Sequence, residues 1–536
     1  MKLHLNKWFW ITILLVSQLL ILVYFGSLKK GMHFDECFSY FNTNNSVGRL
    51  AYDRTYVSSY DIMKDFYVLD GEGFNYPYVV LLQSYDVHPP VFYIFLHTLC
   101  SFMPGVFSMW QGVALNILYA LITTVFIYLT VNEITKNIYV SYFISGLVAV
   151  NTGVICNVMY IRMYALMALW ISICVYLHVR MARYENFNDI PIKYPIIGFV
   201  LTFLGFLTHY FYLVFLFFIE AAFFIPKLFK FKNNFKGIIK YGLFILAAGI
   251  LGVAVYPSCL GHVHSGYRGQ EVTSYLLDAS DIFTRFEFFG GLINKYVFNN
   301  TMYIFILLCV LMLVTAFSKS HKDKNINAND VEDYRVRALI ECIIIPTLGY
   351  FIISSKCSLL GDEAMMRYQL PIYSLIIVSI AVTIYECVNY VIKNKKAAFW
   401  INTCLGTVFL IISIVGVLKG NVFYLYPEQE RMEEIAAEHS NDPCLYIYNN
   451  ESSKYLLWND FMQLAKYNEV YFVNSEDLTP IDDAKINNAE NLVVYTSIMG
   501  ELNFEKYKSF VLESDTNVTN ATKLYDGMYA KAYYFE

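Results

Sequence analysis

The feature that most constrains this chain is a series of apolar runs between residue 8 and residue 418, most of them close to the length of a bilayer crossing. About 20 apolar residues in a helix cross roughly 30 Å of hydrocarbon. Runs of this kind lie at 8–27, 89–103, 107–131, 138–156, 159–179, 194–208, 209–226, 238–258, 300–317, 336–354, 369–389 and 397–418. With 57% hydrophobic and 15% charged residues among 536, the chain is too apolar for a soluble protein of its size. The expected fold is a polytopic α-helical membrane protein of about 11–13 transmembrane helices. Lys2 and Lys7 precede the first run, but no small-residue cleavage pattern follows it, so the run reads as an uncleaved helix.

Two polar regions interrupt or follow the apolar runs. Residues 28–88 form a long first loop, whose stretch from Val47 to Tyr67 mixes apolar and charged side chains as an interfacial helix would. Residues 420–536 alternate strand-like runs (445–448, 469–473, 492–496, 530–535) with helix-like ones (428–438, 454–466), the pattern of a small α/β domain. The expected division is therefore a membrane domain over 1–419, including loop 28–88, and a C-terminal domain over 420–536.

Basic residues set the expected orientation. Lys227, Lys230, Lys232, Lys236 and Lys240 mark one cytoplasmic loop; Lys319, Lys322, Lys324, Arg335 and Arg337 mark a second; Lys393, Lys395 and Lys396 mark a third. Loop 259–299, loop 355–368 and the tail then lie outside. For loop 28–88 to lie outside as well, one run between 89 and 131 must fall short of a full crossing, and 89–103 is the shortest. It is expected to be re-entrant or partly inserted.

The outer face gathers polar groups that are costly beside hydrocarbon, which makes a functional site the default hypothesis. His33-Phe34-Asp35-Glu36 follows the first helix; Asp35, if ionised, can accept a proton in group transfer, and the alternative is a solvated loop acid. His88 precedes Pro89-Pro90, a pair suited to a helix start, and is either a site residue or an interfacial cap. Arg162 stands at the outer end of an apolar helix; it either snorkels to the interface or turns inward to bind a phosphate or carboxylate bidentately. His209 breaks a long apolar stretch and reads as a structural residue or a ligand. His262, His264 and Arg268 lie among glycines that let backbone approach a ligand. The two histidines are spaced compatibly with a metal, yet zinc sites normally need three or four ligands. Arg367-Tyr368 opens a further outer-facing helix, with a solvated loop end as the alternative.

Other signals exclude or add little. Nothing forms a nucleic-acid footprint, and the 11 cysteines are scattered singly as core residues are. Asn450-Glu451-Ser452, Asn517-Val518-Thr519 and Asn520-Ala521-Thr522 match the short glycosylation pattern.

In order along the chain, His33-Phe34-Asp35-Glu36, His88-Pro89-Pro90, Arg162-Met163-Tyr164-Ala165-Leu166, Thr208-His209-Tyr210, Tyr267-Arg268-Gly269 and Arg367-Tyr368 with Pro371 resemble the bacterial GT-C glycosyltransferases of the protein O-mannosyltransferase and aminoarabinose-transferase type. The resemblance spans about residues 1–390. It implies an enzyme of the bacterial plasma membrane that moves a sugar, with inversion, from a polyprenyl-phosphate donor to an extracytoplasmic acceptor: lipid, polysaccharide or protein. Asp35 matches the family's first-loop acid and would be the base; Glu36 would position the acceptor or contact a metal. Arg268 and Arg367 would stabilise the leaving phosphate, while His88, Arg162, His209, His262 and Tyr368 line the site. The family includes members with a divalent metal ion and members without, and Glu36, His262 and His264 are the candidate ligands here.

Two other readings compete. A transporter or flippase of a lipid-linked sugar would also use outer-face arginines, but such proteins commonly carry paired repeats, and no matching halves are found. A catalytically silent scaffold with a partner-binding tail is the third.

Overall fold

The computed structural model describes residues 7–45, 52–278, 280–322, 331–448, 460–497, 504–514 and 517–536. The Asn450 glycosylation pattern, residues 47–51 of the expected interfacial helix, Lys324, and residues 454–459 of an expected tail helix lie outside these.

Each of the twelve expected apolar runs is helical, but they differ in reach. Among the described residues, eight helices are long and apolar enough to cross a membrane: Phe9–Leu28, Met109–Thr135, Tyr164–Met181, Phe211–Leu228, Phe231–Val255, Tyr334–Cys357, Leu370–Val391 and Lys395–Leu418. Val91–Ser101, Lys193–Phe206 and Met302–Thr315 are apolar and shorter. Val91–Ser101, with 11 residues, extends only about 17 Å, shorter than the hydrocarbon layer. The protein is a multi-pass membrane protein.

The run expected over 138–156 is two helices, Ile138–Ala149 and Thr152–Met159, bent by 54°. Asn151 makes the break. Its side chain accepts from the Gly153 N–H at 3.0 Å, starting a new helix, and donates to the Val297 carbonyl at 2.8 Å.

The chain divides into two compact units, residues 1–26, 83–92 and 112–423, and residues 27–82, 93–111 and 424–536. This differs from the expected boundary at 420, because the tail shares its unit with most of the first loop. In the second unit six strands, β1 (Thr55–Ser58), β2 (Cys444–Tyr448), β3 (Glu469–Asn474), β4 (Leu492–Ser497), β5 (Ala521–Asp526) and β6 (Ala530–Phe535), form one sheet in the order β1-β3-β2-β4-β6-β5. Parallel pairing joins β3, β2 and β4, and the remaining pairs are antiparallel. β2 and β4 are buried along their whole length, which is why they read as continuous apolar runs. Edge strand β5 exposes Lys523 and Asp526, charges that discourage further pairing. Leu445, Ile447, Val494, Val511 and Phe535 form the core on one face, and each such side chain contributes on the order of 1.5–3 kcal/mol through burial.

β1 is a correction. The stretch expected as an interfacial helix is instead strand at Thr55–Ser58 and a five-residue helix at Ser59–Met63, with Tyr56 and Val57 paired to Tyr471 and Val470. The expected loop 259–299 is likewise mostly helical, at Ser258–His264, Tyr267–Leu277 and Ile282–Tyr296.

Candidate active site

In the first unit, the segment 83–92 is fixed before it enters its helix. Prolines 89 and 90 lack donors, and the next N–H, that of Val91, donates to the Leu207 carbonyl at 3.0 Å. Asp86 Oδ2 lies 3.0 Å from His88 Nδ1, and the Tyr256 hydroxyl donates to the His88 carbonyl at 3.3 Å.

Arg162 comes from the turn between helices Thr152–Met159 and Tyr164–Met181. Asn116 Nδ2 holds that turn by donating to the carbonyls of Val158 and Tyr160 at 3.1 and 2.7 Å. The arginine is 4% exposed, so it does not snorkel, and its Nη2 sits 3.4 Å from His88 Nε2 and 3.5 Å from His88 Nδ1. His209 packs 6.1 Å from the His88 ring and 5.4 Å from the Tyr164 ring. Burial, then electrostatic interaction with His88 and with the Arg162 guanidinium, hold its pKa well below the usual histidine range. Its Nδ1 accepts from the Phe211 N–H at 3.0 Å, as a neutral imidazole can.

An aromatic path leads on from this cluster. Phe211 lies 5.4 Å from His209 and 6.1 Å from Tyr368, whose ring carries the Arg367 guanidinium at 5.2 Å. Arg367 is 6% exposed, which removes the solvated-loop reading. Arg268, more open to solvent, interacts electrostatically with Tyr368 while bridging Glu271 at 2.8 Å and lying over the Tyr267 ring.

Several expectations need correction. His262 is a tie: its Nδ1 accepts from the Tyr210 hydroxyl at 2.9 Å and its Nε2 donates to the Ser84 carbonyl at 3.3 Å, the pattern of one neutral tautomer. His264, two positions along the same helix, points elsewhere and is exposed. Two of the nearby glycines serve close backbone packing: a Cβ at Gly266 would meet the His262 carbonyl oxygen at 2.8 Å, and one at Gly269 the Val263 carbonyl oxygen at 2.2 Å.

Sequence reasoning also missed a buried charge cluster. Arg285, 3% exposed, donates to Asp281 at 2.7 Å and to the Ser358 carbonyl, and Lys356 reaches Asp281 at 3.2 Å and the Asp278 carbonyl. The Asp281/Arg285 spacing of four was the available signal. These bonds pin helix Ile282–Tyr296 to the end of helix Ile345–Cys357.

The second unit carries Asp35 and Glu36, at the start of helix Phe34–Asn44. His33 caps it through Nδ1, which accepts from the Asp35 N–H at 3.2 Å, and the Asp35 carboxylate lies 3.7 Å from the same nitrogen. A helix N-terminus favours the ionised carboxylate. Asp35 keeps 18% of its side chain exposed.

Glu36 does a different job from the one expected. Fully buried, it accepts from the His33 N–H at 2.7 Å, completing a capping box, and pairs with Lys29 at 3.0 Å. Lys29 also donates to the Tyr424 carbonyl at 2.6 Å. Glu36 is thus a cap and counter-ion. With His262 tied and His264 turned away, the three candidate metal ligands do not make a donor set, and no group of three or more His, Cys, Asp and Glu suited to a metal occurs among the described residues.

No family model and no curated protein matches the sequence. Solved structures do match. ArnT from Cupriavidus metallidurans bound to undecaprenyl phosphate aligns with 98% of this chain and 98% of its own, at a TM-score of 0.51 and 10% identity. The apo state of the same protein gives 0.52 and 9%, over 98% and 97%. This is the GT-C fold. The archaeal oligosaccharyltransferase AglB from Archaeoglobus fulgidus, in complex with an inhibitory peptide and a dolichol-phosphate, aligns with 95% of this chain and 71% of its own, at a TM-score of 0.45 and 11% identity. The near-complete coverage of ArnT takes in the sheet of the second unit as well as the membrane helices of the first.

Proposed function

We propose that the protein is an inverting glycosyltransferase that moves a sugar from a polyprenyl-phosphate donor to an acceptor on the extracytoplasmic side of the membrane. The observation that carries this reading is Arg162, a buried guanidinium set beside the His88 imidazole in a chain with the GT-C fold. Fixed cations of this kind stabilise charge on a departing phosphate without reorganising at the moment of reaction.

In the proposed reaction, the Asp35 carboxylate takes the proton of an acceptor hydroxyl or amine. The acceptor atom attacks the anomeric carbon from the face opposite the phosphate, and the bond from that carbon to the phosphate oxygen breaks. The electron pair leaves with the polyprenyl phosphate, so the configuration inverts. Arg367 and Arg268 are assigned to that phosphate with Arg162; Tyr368 carries the Arg367 guanidinium on its ring and interacts electrostatically with Arg268. His88 orients Arg162 and is itself held by Asp86. His209, neutral, adds no charge to the cluster.

The test is sugar release from a panel of radiolabelled polyprenyl-phosphate sugars in membranes bearing wild-type or Asp35→Asn protein. Consumption of one donor that depends on Asp35 is expected. Donor crossing the bilayer intact in both proteins would replace catalysis by transport.

A further inference from the structure

A second site lies in the first unit, apart from every residue assigned above. A cavity of about 790 Å³ opens among helices Ile138–Ala149, Leu370–Val391 and Lys395–Leu418. That volume is within the range of about 300–1,000 Å³ typical of small-ligand sites. We propose that it holds an anionic glycerophospholipid of the leaflet facing the lysine-rich loops.

The lining is graded along the helix axes. Its polar part sits at helix ends: Asn137 caps Ile138–Ala149, Lys393 and Lys395 flank the cap of Lys395–Leu418, and Arg335 lies at the start of Tyr334–Cys357. The apolar part lies farther along the same helices, at Phe143, Leu147 and Phe409. Phe409 is fourteen residues beyond Lys395, roughly 21 Å along the axis. A groove with cations at one end that runs about 20 Å, past Asn402 and Thr403, to an apolar far end suits a headgroup phosphate with an acyl chain; it is far longer than an inorganic anion requires.

Two further observations support this occupant. The lining has three basic side chains, Arg335, Lys393 and Lys395, against one acid, Glu386, so its charge complements a phosphodiester. Around the same end, Tyr139, Phe399 and Trp400 are 83%, 62% and 67% exposed. Aromatic side chains of this sort collect at headgroup level, which sets the cationic end of the groove at the depth of lipid phosphates.

The experiment uses the full chain in phosphatidylcholine vesicles containing a minor fraction of brominated-chain lipid, and reads quenching of Trp400 against a Trp400→Phe control. Brominated phosphatidylglycerol is expected to quench more effectively than brominated phosphatidylcholine at equal content, with a selectivity on the order of tenfold. Joint Arg335→Gln, Lys393→Gln and Lys395→Gln substitution should abolish the selectivity. Ala381→Phe, which fills the groove, leaves its charge intact and adds no tryptophan, should do the same. Equal quenching by both lipids would overturn the proposal. So would selectivity that survives Ala381→Phe, which would mean only a charged rim, or displacement of phosphatidylglycerol by equimolar polyprenyl phosphate, which would make the groove a donor-lipid site.

Discussion

Arg162 Nη2 lies 3.4 Å from His88 Nε2, and the Asp86 carboxylate holds the same imidazole by Nδ1 at 3.0 Å. The three residues form a row of carboxylate, imidazole and guanidinium, so the arginine depends on the other two for its position. Arg162→Ala is expected to lower the transfer rate about a hundredfold, equivalent to roughly 3 kcal/mol of transition-state stabilisation. Asp86→Asn should cost less, and its effect should fall on kcat rather than on donor KM. Steady-state kinetics with thermal midpoints alongside check both; unchanged rates in a folded Arg162→Ala protein would remove this cluster from the reaction.

The adjacent acids Asp35 and Glu36 should respond oppositely to amide substitution. Asp35→Asn is expected to abolish transfer and leave the unfolding midpoint unchanged. Glu36→Gln leaves Lys29 buried without its counter-charge, a change that costs about 3–5 kcal/mol in stability. Adding Lys29→Met to Glu36→Gln should recover much of that loss. A Glu36→Gln protein as stable as wild type would contradict the ion-pair assignment.

Arg268 and Arg367 should separate by salt. Arg268 is partly solvated and shared with Glu271, whereas Arg367 is buried. Donor KM of wild type and of Arg367→Ala is expected to rise with ionic strength, and Arg268→Ala should flatten that dependence, because solvent-exposed charges are screened and buried ones less so. Donor saturation curves at low and high salt provide the measurement.

Asp460 gives a pH dependence in the second unit. Burial pushes its carboxyl up to about 7, while the Tyr446 hydroxyl donates to it at 2.9 Å. An unfolded aspartate titrates near 3.9, so between about pH 4 and 7 the folded chain holds the proton that the unfolded chain has lost. Stability is therefore full below about pH 4, falls as pH rises to about 7, and is level above. The total is about 4 kcal/mol, from a shift of roughly three units. Asp460→Asn should match wild type near pH 4 and unfold at higher temperature near pH 8; a difference independent of pH would refute the assignment.

What the sequence disclosed divides along physical lines. Apolar runs report helices because hydrocarbon demands length and composition, and the central strands β2, β3 and β4 are legible because burial on both faces makes them continuously apolar. Pairing over long distance is not written locally. β1 resembles an interfacial stretch until β3 is known, and Glu36 resembles a site acid until Lys29 is seen to fold back on it. His262 and His264 suit a ligand pair only on a loop, and the segment that carries them is a helix. For Arg162 and Arg367 the sequence leaves two readings open, since it gives a residue's position along a helix and not the direction of its side chain.

The pairing of β1 with β3 has a consequence for the order of assembly. Thr55 faces Phe472, more than four hundred residues later in the chain. At translation rates of about 5–20 residues per second, the N-terminal strand waits roughly 20–80 s for its partner to be synthesised. Throughout that interval it presents an open hydrogen-bonding edge, so the nascent chain is most vulnerable to mispairing before β3 is made.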